Sequence, residues 1–217
     1  MSIFASAVHY LPLMVLGILP VMNPLSTIPL FLSLTDGMTD EQKTRQVRMA
    51  CVYSVLILVA FLLLGNGIIS LFGISLDGIR VAGGLIILFL SFRMLFPPTA
   101  PSNDDTQDAK ASSDFSFSPL AMPSMAGPGT IAVVMGYASH IPAGHTLLGY
   151  IMISAAILIV VFIAYLALIF STSIAARLGK SGIDAISKIM GFLLACIAVQ
   201  FIASGVHDFV IDLAQKI

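Results

Sequence analysis

The chain has 217 residues, of which 58% are hydrophobic and 10% charged, with a formal net charge of −1. Soluble domains carry roughly 45–50% apolar and about 25% charged residues, so this sequence lacks the polar surface that solubility in water requires. No basic patch with interleaved aromatics is present, which sets nucleic acid aside as a partner and leaves the lipid bilayer.

A spanning helix needs about 20 apolar residues, and six stretches supply them: 9–34, 47–72, 77–96, 117–138, 146–171 and 184–207. Residues 1 to 11 contain neither Lys nor Arg and no cleavage site follows, so the first stretch reads as mature chain. The loop from Thr35 to Val47 is polar and turn-rich. The longest loop, 97–116, is built of Pro, Ser, Thr, Asn and Asp and reads as a flexible cytoplasmic tether. It separates residues 1–96, a first three-helix repeat, from 117–217, a second one within the same membrane domain.

Lys43, Arg45, Arg48, Arg93, Lys110, Arg177, Lys180 and Lys188 all fall on one side of this arrangement, against Arg80 and Lys216 on the other. By the positive-inside rule, loops 35–46, 97–116 and 172–183 are expected in the cytoplasm and both termini in the periplasm.

The two halves share a pattern. Span one carries Pro20-Val21-Met22-Asn23-Pro24-Leu25-Ser26-Thr27, and span four carries Pro123-Ser124-Met125-Ala126-Gly127-Pro128-Gly129-Thr130. Span three sets Arg80 three residues before Gly83, and span six sets Lys188 three before Gly191. A repeat of three spans must invert, so the fold expected is all-α: six transmembrane helices as two inverted repeats, with helices one and four broken. Interrupted helices at matching positions point to a transporter site near the midplane.

The chemistry of such breaks is specific. Proline removes an N–H and displaces the carbonyl four residues earlier. In lipid, irregular backbone survives only when packed in protein or lining a wet cavity. Asn23, Pro24, Ser26 and Thr27 are therefore expected to form one wall of a solute site, with Ser124, Gly127, Pro128, Gly129 and Thr130 as its counterpart. The competing reading is two kinked helices of ordinary membrane composition; the clustering of polar side chains around both breaks favours the site.

Gln200 reads equally as a site wall or as helix-to-helix glue. Arg80, Lys188 and Arg93 read as interface anchors, ahead of gating pairs between Arg80 and Asp77 or Lys188 and Asp184. Gly83-Gly84 and Gly191 read as close helix packing, and Met122 and Met125 as filler. His140, His145 and His207 are expected in solvated outer positions. Cys51 and Cys196 read as packing residues rather than a disulfide. No metal-ligand spacing, nucleophile–base arrangement or cofactor motif occurs, so no catalysis, metal or cofactor is expected, although a coupling ion stays open. The lack of a mid-span Asp or Glu weighs against a carboxylate proton relay.

The strings LPVMNPLSTIPLFLSL, FGISLDGIRVAGGLIILFLSFRMLFP, PLAMPSMAGPGTIA and GIDAISKIMGFLLACIAVQFI resemble the MarC family of bacterial inner-membrane proteins over nearly the whole chain. The resemblance implies a six-span inner-membrane protein, grouped through SnatA-like relatives with neutral amino acid transporters. The expected function is a secondary carrier for small neutral amino acids or similar solutes. A channel or efflux pathway for another small solute, and a non-transporting scaffold or regulator, are the alternatives. The substrate, the direction of transport and the oligomeric state are not legible.

Overall fold

The structure, a computed structural model, describes residues 3–96, 114–139, 141 and 146–215. Of the tether expected at 97–116, residues 97–113 lie outside the described residues, as do Lys216, His140 and His145, while its last residues are not a free linker: Phe115 and Ser116 are buried and Ser116 opens a helix. Among those described, the chain is helical with no strand: α1 (Ile3–Met22), α2 (Pro24–Leu34), α3 (Asp40–Phe72), α4 (Leu76–Leu95), α5 (Ser116–Met125), α6 (Pro128–Ser139), α7 (Thr146–Ile169) and α8 (Ser171–Gln215). Five stretches are long and apolar enough to cross a membrane: 10–34, 40–65, 77–95, 146–169 and 181–211. The apolar stretch at 117–138 is divided between α5 and α6, each too short to cross alone.

Local chemistry explains the boundaries. Thr39 opens α3 seven residues earlier than expected through a reciprocal cap: the Thr39 N–H donates to Gln42 Oε1 (3.0 Å) and the Gln42 N–H to Thr39 Oγ1 (3.3 Å). Ser75 caps α4 by accepting from the Gly78 N–H at 3.1 Å. The connection expected over 172–183 is instead helical on both sides of Gly179. Helical hydrogen bonds continue through Phe170 and Ile174, and Gly179 interrupts the helix with φ 65 and ψ 174, a backbone open to glycine for want of a Cβ.

The packing has a reciprocal form. The broken pair α1 and α2 packs on α7 and α8, while the broken pair α5 and α6 packs on α3 and α4. The unbroken helices then pair with their counterparts, α3 with α7 and α4 with α8. The buried core runs through the middle, with Ile18, Val21, Met22, Leu58, Ile87, Met125, Val133, Ile157 and Leu194 all almost inaccessible. The outward faces of α3, α4, α7 and α8 expose Leu, Ile, Val and Phe in quantity, which hydrocarbon accommodates and water would not.

The tightest seam is α4 against α8. A methyl group added at Gly84 would lie 2.9 Å from the Ala198 carbonyl oxygen, one at Gly191 3.3 Å from that of Ser91, and one at Gly205 2.9 Å from that of Asp77. The partners step by seven residues in opposite directions, so the helices run antiparallel and meet along one line of small residues. Gly83 serves a different neighbour: its added methyl would fall 2.4 Å from Ala132 Cβ on α6. Adjacent helical residues point about 100° apart, so the Gly83-Gly84 pair lets α4 approach two helices at once. The sequence reading of these glycines as packing residues agrees with this arrangement.

Candidate functional site

The first break is built from one left-handed residue. Asn23 adopts φ 40 and ψ 69, the sole positive φ at a non-glycine residue among those described. Asn tolerates this region better than most residues. The Asn23 N–H still closes α1 on the Leu19 carbonyl at 2.9 Å, and Pro24 then starts α2 at a position where no N–H is required. Asn23 is 4% exposed. Its Oδ1 accepts from the Ser26 N–H at 3.4 Å, and its Nδ2 donates to Met94 Sδ on α4 at 3.3 Å. The Ser26 and Thr27 hydroxyls donate back to the Asn23 carbonyl at 3.0 and 3.4 Å.

The second break is wider. In α5 the residues before proline, Ser118 and Met122, are extended (φ near −125, ψ 126), the region that a following proline imposes. Both Xaa-Pro bonds, Ser118-Pro119 and Met122-Pro123, are cis. The coil between them is π-like, with Leu120 N–H donating to the Phe115 carbonyl (3.3 Å) and Ala126 N–H to that of Ala121 (2.7 Å). Gly127 follows, where a Cβ would sit 2.3 Å from the Pro123 carbonyl oxygen. Pro128 then opens α6. The Thr130 hydroxyl donates to the Met125 carbonyl at 3.1 Å, as Ser26 and Thr27 do at the first break.

These interruptions meet. A methyl at Gly129 would lie 3.2 Å from Val21 Cγ1 and 3.1 Å from Ile87 Cγ1, so the start of α6 lies against the end of α1 and the middle of α4. Asn23, Pro24, Thr27, Gly127, Gly129 and Thr130 are buried, Ser26 and Ser124 are half-buried, and Pro128 is exposed. Gln200 does not join them. It is exposed on α8, because Ala198 and Ile202 face α4 and a residue between them turns away.

The hydroxyls thus have a local duty at each break, since an unpaired backbone group at this depth costs several kcal/mol. A hydroxyl that donates keeps lone pairs that accept, and the N-termini of α2 and α6 add positive dipole ends. The αL geometry also sets a test. Asn23→Ala loses the cap and places Ala at positive φ, so it is expected to cost about 2–3 kcal/mol. Asn23→Gly keeps the backbone and should cost under about 1 kcal/mol. Equal losses of thermal stability for the two would refute this account.

Polar groups gather at both ends of the bundle. Opposite the basic end, Arg80 of α4 pairs with Asp208 of α8, reaches Asp77 at 3.7 Å and donates to Ser139 Oγ of α6 at 3.1 Å. Arg80 is therefore a buried cross-link rather than a solvated anchor. The sequence offered Asp77 as its partner and missed Asp208, 128 residues away. The exposed His207 ring stands 3.2 Å from Asp208.

At the basic end a cavity of about 310 Å³ is lined by Met38, Gln42, Arg45, Gln46 and Asp114. Hydrogen bonds from the Ser116 hydroxyl (2.6 Å) and N–H (3.0 Å), helped by Arg45, hold the Asp114 carboxyl below its usual range. A second cavity, about 380 Å³, opens between α4 and α8 beside Val81, Leu85, Val206 and Phe209. Neither includes a residue of the breaks. Cys51 is buried and Cys196 exposed, and both are free thiols.

The profile described as "MarC family integral membrane protein" matches residues 8–210. The chain belongs to the MarC family. Inner membrane protein MarC of Escherichia coli is 41% identical over 203 residues, covering 89% of this chain and 92% of its own length. MarC of Citrobacter koseri is 42% identical over the same shares, and that of Shigella flexneri 41%. No solved structure matches. Membership in the MarC family, with the apolar helices above, makes this a multi-pass bacterial inner-membrane protein.

Proposed function

We propose that this chain is a secondary carrier for small neutral amino acids or similar small zwitterions, built as two inverted three-helix halves with the basic end cytoplasmic. One observation carries the reading: two helix interruptions, at Asn23 and at Ala126-Gly127, packed against each other in the core of an all-helical membrane protein. The reciprocal packing of each broken pair on the other half's helices supports the inversion. In such folds one half rocks against the other around a fixed site. The clustered Arg80 contacts then close the outer end, while the Arg45 cavity stays open toward the cytoplasm. Solute would meet the α2 and α6 N-termini and the oxygens of Asn23, Ser26, Thr27 and Thr130.

The test is uptake of labelled glycine, alanine or serine by proteoliposomes under imposed sodium, proton and solute gradients. A carrier accumulates label by counterflow against unlabelled solute trapped inside; a pore only equilibrates it. Rates equal to protein-free vesicles across all three gradients would overturn the proposal. They would favour a non-transporting scaffold, a reading that draws on the local bonding of the hydroxyls at both breaks.

A further inference from the structure

We propose that the cavity at the basic end is a second binding site, a vestibule that takes small zwitterions from the cytoplasmic face before they reach the helix breaks. This rests on the carrier reading and deepens it.

In the cavity lining, Arg45 supplies a guanidinium, Asp114 a carboxylate, and Gln42 and Gln46 two amides, with Met38 as the apolar wall. A site for an ion of one sign would not place opposite full charges across one small space. A site for a zwitterion needs both, because the guanidinium fork matches a carboxylate while an acidic oxygen accepts from an ammonium. The volume of about 310 Å³ lies at the small end of ligand pockets, which suits a solute of few heavy atoms.

Gln42, Arg45 and Gln46 stand on the first two turns of α3, and Asp114 lies two residues before α5. The helix α5 leads from this cavity directly to the break at Ala126-Gly127. Ser116 fixes Asp114 through two hydrogen bonds, so the carboxylate is held in place before a solute arrives. Gln46 is buried in the cavity wall, and Arg45 is exposed at its mouth. The charged mouth and the interrupted helix therefore follow one another along the chain, with α5 between them.

The experiment uses the full chain in lipid nanodiscs, with saturation-transfer NMR of L-alanine, propionate and ethylamine, alongside uptake in vesicles. Arg45→Gln should weaken alanine binding about tenfold or more and abolish propionate contact. Asp114→Asn, which keeps the acceptor for Ser116, should weaken alanine similarly and abolish ethylamine contact. In transport, both should raise the half-saturation concentration at the cytoplasmic face and leave the periplasmic value unchanged.

Unaltered alanine binding in both variants overturns the vestibule, as does propionate or ethylamine binding as tightly as alanine. If uptake proceeds with unchanged cytoplasmic half-saturation, the vestibule falls and the carrier stands. If binding depends on Arg45 and Asp114 but no uptake occurs, the carrier falls and the binding site stands. Neither binding nor uptake overturns both.

Discussion

Arg80→Met is expected to lower the thermal midpoint by roughly 5–10 °C, the effect of losing about 2–3 kcal/mol in a chain of this size. The substitution keeps most of the side-chain length and removes only the charge and its donors. What stays behind is Asp77, whose side chain is 14% exposed, facing Asp208, which is 41% exposed. Breaking a buried pair by removing one partner costs about 3–5 kcal/mol, and the exposure of Asp208 reduces that through solvent screening. Ser139 on α6 also loses the Arg80 donor, so α4, α6 and α8 come apart at one point together.

The chain provides its own reporter for this measurement. Cys51 is buried and Cys196 exposed, so in a Cys196→Ser background a thiol-reactive dye reads unfolding through Cys51 alone. Adding Asp77→Asn and Asp208→Asn to Arg80→Met should recover part of the loss, since the carboxylates would no longer be stranded. An unchanged midpoint for Arg80→Met would mean that the contacts are solvated surface pairs. It would also remove the closed outer end from the transport reading.

The features legible in the sequence were those written in neighbouring residues. Asn23-Pro24 and Gly127-Pro128-Gly129 announce helix breaks because proline and glycine act on the backbone beside them. That the breaks would lie against each other needed a second argument, the repeat; in the structure Gly129 at the start of α6 lies against Val21 and Ile87. The wide coil of α5 was present in the sequence as two prolines four residues apart, each restricting the residue before it. The sequence reading used Pro123 as a breaker but gave Pro119 no part in the break.

Long-range partners were out of reach. Nothing near Arg80 names Asp208, because that pairing depends on the α4–α8 register. The same register turns Gln200 outward; periodicity gives a helix its faces but not the neighbour each face meets. Half of the register was visible, in Gly84 and Gly191. The complementary small residues, Ser91, Ala198 and Gly205, become meaningful only once the helices are placed side by side.

That seam yields the other large effect. Gly84→Leu is expected to prevent assembly of a stable bundle, and Gly84→Ala to cost about 1–3 kcal/mol. The first atom added already lies 2.7 Å from Ile202 Cγ1, 2.9 Å from the Ala198 carbonyl oxygen and 3.1 Å from the Ile202 nitrogen. Two of these three belong to the backbone of α8, which cannot move aside as a flexible side chain can. Relief therefore requires separating α4 from α8 along their length. Intrinsic propensity points the other way, since Ala is favoured over Gly inside a helix by about 1 kcal/mol. Gly67 isolates that contribution: it lies within α3, and an added Cβ there meets nothing within 4 Å. Gly67→Ala should accordingly raise the thermal midpoint slightly while Gly84→Ala lowers it by several degrees. The same substitution then has opposite signs on two helices of one protein, and only close contact at the seam accounts for the difference. Matching signs would mean that the α4–α8 approach is looser than the geometry around Gly84 requires.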